Sequence, residues 1–195
     1  DAKVKRIMNQ GKESTKSEIM TALLQELEKT PLKKITIQQI AAKAGISKQT
    51  FYNHFRDKEE LICAVYEHII IPDFDLDAFP ESFGQSYLRT LNAMKEYGRF
   101  MRQALLLEGQ NDLKSYITSH CEQFDLAYHT HLYEDELPPD LRLATIYHAN
   151  ASSAMTFSWI LGGFASSPQD MVKLVCAMRA LGMDEKIAKA YKLDD

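Results

Sequence analysis

No apolar run in this 195-residue chain approaches the roughly 18–20 residues needed to span a bilayer, so a membrane helix is excluded as its organising element. The opening stretch from Asp1 to Lys12 lacks the apolar core of a signal peptide. Cysteine is scarce. Cys63, Cys121 and Cys176 are widely spaced, odd in number and form no CxxC or zinc-finger pattern. That argues against a disulfide framework and for a reducing compartment, and the expectation is a cytoplasmic protein. A phosphate loop, a GxGxxG fingerprint, a nucleophile–base pairing and a metal triad are all missing, so no enzyme and no cofactor is expected. His129 and His131, with Glu134, Asp135 and Glu136 close behind, invite a metal. On a continuous helix the two histidines lie roughly 200° apart, so no metal site is expected. Strand pairs, internal repeats and low-complexity tracts are missing too.

What is present is helical period. Hydrophobic residues are 45% and charged residues 26%, enough to fold a core rather than stay disordered. Residues 1–13 carry Lys3, Lys5, Arg6 and Lys12 with little apolar content and read as an arm. Helix one should run from about Ser14 to Lys29, with Ile19, Leu23, Leu24 and Leu27 as its stripe, and Pro31 stops it. Thr36 and Gln39 form a capping-box pattern at the start of helix two. Gly45 ends that helix, where a left-handed residue is needed. Ser47 caps helix three, about 47–55. Asp57 caps helix four, with Glu60 at its capping-box position, and that helix ends at Ile71-Pro72. The acidic segment 72–82 reads as a connector. Helical segments follow at about 81–97, 99–108, 110–133, 139–164 and 168–181, with a short one at about 184–192. The fold class is all-α: a head over residues 1–62 and a body over 63–195.

The net charge of -4 hides an asymmetry. Residues 1–62 hold 12 Lys and Arg against 8 Asp and Glu, and residues 63–195 hold 11 against 19. A basic head on an acidic body can meet a polyanion at one end. Helix three suits that task. Phe51 and Phe55, four residues apart, point into the head's core. Lys48, Gln49, Tyr52, Asn53 and His54 then lie outside or at the flank. Gln49 can read adenine bidentately, Lys48 can reach guanine or phosphate, and Thr50 offers a methyl to thymine or a hydroxyl to phosphate. Ser47 and the free amides of the helix N-termini can hold phosphate. Lys33 and Lys34 are either phosphate contacts or plain solvated lysines.

The stretch ITIQQIAAKAGISKQTFYNHFRDKEELI resembles the DNA-binding domain of the TetR/AcrR-type bacterial transcriptional regulators. The shared pieces are A-x-x-A-G-I-S, the Thr50-Phe51-Tyr52 run, Phe55 closing helix three, and D-K-E-E-L opening helix four. They cover roughly residues 14–62. Further on, WILGGFASSPQDM looks like the end of the regulatory domain in some of these proteins. The resemblance implies about nine helices, three in a helix-turn-helix head and the rest in a ligand-binding and dimerising body. It implies that Thr36, Tyr52 and Lys58 hold phosphates. The function it implies is a repressor that grips a palindromic operator in double-stranded DNA as a homodimer and is released by a small-molecule effector. The alternative is an activator of the same fold run by a protein partner.

Two further expectations concern the body. Helices at about 140–164 and 168–181 carry small residues (Ala149, Ala151, Ser152, Ser153, Ala154) and bulky ones (Phe157, Ile160, Leu161, Phe164, Met171, Leu174, Val175, Met178). They are candidates for the dimer interface. The effector pocket should lie among helices five to eight. Tyr87, Met94, Phe100, Met101 and Leu105 are candidates from the first part of that region. Tyr116, His120, Phe124, Tyr147, His148 and Trp159 are candidates from the rest. For each, core packing is the competing role. Helix four joins head to body and is the expected lever between them.

Overall fold

In a computed structural model of the chain, residues 2–71, 79, 82–109 and 112–193 are described, with side chains from residue 14 onward. The described residues form helices joined by turns and short loops, with no strand among them. Ten α-helices follow in order: α1 (Ala2–Leu27), α2 (Ile37–Lys43), α3 (Lys48–Tyr52), α4 (Lys58–Val65), α5 (Phe83–Glu96), α6 (Gly98–Ala104), α7 (Leu113–Tyr133), α8 (Pro139–Leu161), α9 (Pro168–Ala180) and α10 (Glu185–Lys189). A 3-10 turn at Leu32–Lys34 separates α1 from α2, and a π-helical turn at Tyr66–Ile70 extends α4. The connector expected at 72–82 falls largely outside the described residues.

Two boundaries differ from the sequence reading. The expected arm is instead the beginning of α1, which starts at Ala2. Low apolar content suggested an arm, but this segment has no proline and is rich in good helix formers, so only Gly11 opposes helix, by about 1 kcal/mol. Helix four is also not a uniform rod. The N–H of Ile71 reaches back five residues to Tyr66 O at 3.0 Å, which makes the last turn π-helical.

The head is α1 to α3 with the start of α4. Ile19, Leu23, Leu32, Ile40, Phe51 and Leu61 are fully buried in it. In the body α7 lies along α8, while α5 and α10 pack on α9 and α7. Leu91, Phe100, Met101, Leu105, Leu113 and Ile160 fill the interior. Buried side chains run without a break from head to body, so α4, flanked by α1 and α7, is packed on both. A second link is polar. Gln103 of α6 accepts the Leu32 N–H at 2.7 Å, tying the body to the 3-10 turn of the head.

Candidate nucleic-acid interface and regulatory cavity

Local chemistry shapes the head. Thr36 Oγ1 accepts from Gln39 N while Gln39 Oε1 accepts from Thr36 N at 2.9 Å, a reciprocal capping box. At the other end of α2, Ile46 N reaches Ala41 O and Gly45 N reaches Ala42 O. This Schellman closure needs a left-handed residue, and Gly45 supplies it at φ +69°. Ser47 then accepts from Thr50 N at 3.0 Å and starts α3. Asp57 starts α4 by accepting from Glu60 N. The return bond differs from the expected box: Glu60 Oε2 takes the N–H of Arg56, at 2.6 Å, rather than that of Asp57.

Phe51 is fully buried with Phe55 against it, ring centroids 5.9 Å apart. This anchoring turns the other side of α3 outward. Ser47, Lys48, Gln49 and Asn53 are exposed, and Tyr52 is 51% exposed with its ring edge on Phe51. Thr50 and His54 are half-buried at the rim, and Thr36 is exposed beside them. Gln49 Nε2 donates to Asn53 Oδ1 at 3.3 Å, so two amides that can read base edges are held in one row.

Lys58 is placed differently from the rest. Its ammonium donates to the carbonyls of Leu32, Ile35 and Lys33 at 3.1, 3.0 and 3.5 Å. An ammonium has three donors, and all three close the C-terminal side of the 3-10 turn. In the described structure Lys58 is therefore a clamp inside the head. Lys58→Met should cost about 1.5–3 kcal/mol, read by denaturant unfolding, since bonds from a charged donor to carbonyls are lost.

The body holds a cavity of about 70 Å³ between α5, α7, α8 and α9. Tyr66 of the π-turn forms part of its wall. At one end sits an ion pair, Arg179 Nη2 to Asp125 Oδ2 at 2.7 Å, with the side chains 5% and 2% exposed. The pair lies within the fold's interior, where little water screens it. Arg179 Nε donates to Ser152 at 2.9 Å and Nη1 to Tyr191 at 3.2 Å. Burial pushes the Asp125 carboxyl up from its ordinary range, against the pull of Arg179. Burial also opposes the guanidinium charge, but Asp125 and Tyr191 outweigh it and hold Arg179 above its ordinary value.

A chain of hydrogen bonds extends from this pair and fixes the tautomer of a buried histidine. Thr145 gives its single proton to Leu141 O at 2.9 Å, so it must accept from His129 Nδ1–H at 2.8 Å. His129 Nε2 is then an acceptor, filled by the Tyr191 hydroxyl. His129 is neutral in this arrangement, and burial first, then Arg179 and His148, hold its pKa down to about 3. The fold thus binds fewer protons than the unfolded chain between 6.5 and about 3. Stability from this residue is complete above 6.5 and should fall as pH drops through that window, by up to about 1.4 kcal/mol per unit. His148 and His120, both lowered by burial, act in the same direction, and Asp125, raised by burial, partly offsets them. Unfolding measured from pH 7 to 4 should show a flatter slope in His129→Gln.

The expected pocket residues separate into two groups. Tyr87, Met94 and Phe124 line the cavity. Phe100, Met101 and Leu105 are buried core away from it, and Tyr147 is 69% exposed. His148 bonds to Leu181 O, Trp159 donates to Ser166 O and packs on Phe164, and Tyr116 lies edge-on between Tyr66 and His120. Aromatic and methionine residues at helical spacing look alike whether they fill a core or face a void, so the sequence does not separate these eight from the three that line the cavity. Arg179 and Asp125 were missed. Arg179 continues the buried stripe Val172, Val175 and Cys176, and Asp125 continues Ile117 and Cys121. A lone charge on an apolar helix stripe is the sign that could have found them. The histidine region behaves as packing: His129 is in the network and His131 stacks on Phe79 at 4.8 Å. Burial raises the thiols of Cys63, Cys121 and Cys176 to about 11, which leaves little thiolate at neutral pH.

The expected dimer helices also divide. Ala149, Ser152, Ser153, Ile160, Met171 and Val175 are buried within the chain. The outward stripe keeps the expected Ala154 and Leu161 on α8 and Leu174 and Met178 on α9, and adds Leu143 and Tyr147 on α8 and Leu181 just beyond α9. Their spacings of three, four and seven put them on one face of each helix.

Comparison with known proteins agrees with this geometry. Residues 19–65 match the family of bacterial regulatory proteins called tetR, and residues 81–179 match a transcriptional regulator C-terminal region. No curated protein matches by sequence. Among solved structures, the dihydroxyacetone kinase operon activator DhaS is similar with a TM-score of 0.61 at 21% identity, over 87% of this chain and 98% of that one. A tetR-family transcriptional regulator from Streptomyces coelicolor has a TM-score of 0.58 at 18% identity, over 92% of this chain and 87% of that one. A TetR transcriptional regulator from Streptococcus agalactiae 2603V has 0.56 at 19%, over 92% and 99%. These identities speak to fold alone. No helix among the described residues is long and apolar enough to cross a membrane. With one match taking in the head and another more than half of the chain, the protein belongs to the tetR family of bacterial regulatory proteins and is a DNA-binding transcriptional regulator rather than an enzyme.

Proposed function

We propose that this chain is a ligand-responsive repressor that binds a palindromic operator as a homodimer in the cytoplasm. The observation that carries the DNA reading is the two-sidedness of α3, with Phe51 buried and Lys48, Gln49, Tyr52 and Asn53 outward. Residues 1–62 form the reading head and 63–195 the sensing and pairing body. Gln49 and Asn53 read base edges, while Lys48, Tyr52, Thr36 and Ser47 hold phosphates or bases at their end of the groove, with Thr50 and His54 at the rim. Lys58 serves mainly by shaping the turn it clamps. Half-sites about one turn apart, roughly 34–36 Å, suit two heads on a two-fold axis. The apolar stripe on α8 and α9, unpartnered within the chain, supports pairing through a four-helix bundle.

Tyr66 supports the effector reading. It belongs both to the cavity wall and to the π-turn that extends α4. A ligand favoured by one position of Tyr66 would bias α4 and hence the spacing of the heads. A second reading reverses the sign of regulation: a chain of the same fold, DhaS, is named an operon activator, which supports an activator run by a protein partner as the alternative.

Gel shifts with DNA from upstream of the chain's own gene provide the test. Lys48→Ala and Tyr52→Ala should each weaken binding about ten- to a hundredfold with circular dichroism unchanged. Lys48→Ala should also lower the slope of log affinity against log salt by about one. Unchanged affinity in both variants would refute the contact assignment. A reporter fusion in cells separates repression from activation.

A further inference from the structure

Lys33 and Lys34 lie on the 3-10 turn that leads into α2, and the packing of that turn bears on what they do. We propose that these two lysines contact operator phosphates, and that Gln103, a body residue on α6, is a positioning residue for that contact because it holds the turn from outside the head. The inference rests on the DNA reading of α3 and extends it to a second element of the head.

The turn does not set its own shape. Its backbone contributes two hydrogen bonds, Lys34 N to Pro31 O at 2.8 Å and Ile35 N to Leu32 O at 3.3 Å. Pro31, at the N-cap position, makes no side-chain cap. Leu32 is fully buried, so its N–H, the first of the turn, needs a partner from elsewhere. Gln103 Oε1 accepts it at 2.7 Å. At the other end Lys58 takes the carbonyls of Leu32, Lys33 and Ile35. One cap thus comes from α4 and the other from the body, whose α6 packs directly on the turn.

The sidedness of the turn follows from its anchors. Leu32 and Ile35 are both buried, and residues three apart eclipse on a 3-10 helix. Lys33 and Lys34 are left outside and exposed. The backbone is extended at Ile35 and Thr36, with ψ of 127° and 154°. Side chains alternate along such a segment, so with Ile35 inward Lys34 and Thr36 share the outward side. Thr36 belongs to the proposed phosphate contacts, and the lysines continue that row. Charge points the same way. Lys33, Lys34 and Lys58 meet at this turn, and none of them forms an ion pair with an acid among the described residues. Like charges gathered without acids repel one another until an anion meets them. The polyanion that a reading head meets is the DNA backbone.

Gel shifts from about 50 to 200 mM salt, with DNA from upstream of the chain's own gene, test the inference. Lys33→Ala with Lys34→Ala should lower the slope of log affinity against log salt by about one or more. Gln103→Met keeps the length of the side chain and removes the acceptor. It should weaken binding about tenfold, with the fold intact by circular dichroism, and should lower the salt slope although no charge has been removed. The Leu32 amide resonance should shift upfield in Gln103→Met as its bond is lost. Gln103→Glu, which keeps an acceptor, should restore both that shift and most of the slope. Gln103→Asn, one methylene shorter, repeats the test where Gln103→Met does not fold. An unchanged slope in the lysine pair would overturn the phosphate contacts. Lost affinity at unchanged slope in the Gln103 variants would overturn the positioning role. Weakening by Lys48→Ala beside an unaffected lysine pair would sink this inference and leave the DNA reading standing. Failure of the parent chain to bind would remove both.

Discussion

Arg179→Met should destabilise the protein by about 3–5 kcal/mol, the largest single-residue effect expected in the body. Asp125 is 2% exposed and has no other partner for its charge. Remove the guanidinium and the carboxylate must either stay ionised in an apolar setting or take up a proton. The loss also spreads. Ser152 of α8 and Tyr191 beyond α10 both receive bonds from Arg179, and its guanidinium lies 4.8 Å from the Phe83 ring of α5. One side chain thus joins four elements. The complementary expectation is that Arg179→Met with Asp125→Leu recovers most of the loss, since replacing a whole buried pair by apolar groups is often close to neutral. A double-mutant cycle by denaturant unfolding, at one fixed protein concentration, checks both. A single variant within about 1 kcal/mol of the parent would show that water reaches the pair and screens it.

The second large effect concerns pairing. Leu174 and Met178 are 49% and 46% exposed on the outer face of α9. In a two-fold interface each substitution occurs twice, so Leu174→Glu with Met178→Glu would bury four carboxylates without partners. Such groups cost several kcal/mol each when desolvated. Sedimentation at micromolar concentration should show a monomer, with the helical content intact. Operator affinity should fall about a hundredfold or more, because the second head loses its effective concentration. A dimer that survives both substitutions would move the interface elsewhere. A monomer that still binds a full palindrome with parent affinity would remove the two-headed reading.

These two effects lie in the part of the chain that was harder to read. The head was legible because its instructions are local. Thr36, Gly45, Ser47 and Asp57 each act within a few residues, and Phe51 with Phe55 sets which side of α3 faces out. What the sequence did not show there is also local: Glu60 returns to Arg56 rather than Asp57, and Lys58 reaches three carbonyls of the neighbouring turn. In the body, helix boundaries followed from Pro139, Pro168 and the glycines, but the fate of each apolar stripe did not. Leu143 and Ile160 carry the same hydrophobic meaning in sequence, yet one is 68% exposed and the other fully buried.

The sequence by itself determined the all-helical class, the capped helix-turn-helix and the outward face of α3. Caps, turns and helical period act over distances of a turn or two, so the residues that decide them are neighbours in the chain. The tertiary structure alone decided that Arg179 meets Asp125, that Tyr66 belongs to both a cavity wall and the end of α4, and which stripe of α8 and α9 stays uncovered. Those outcomes depend on how whole helices pack, and the partner that fixes each side chain lies on a helix distant in sequence.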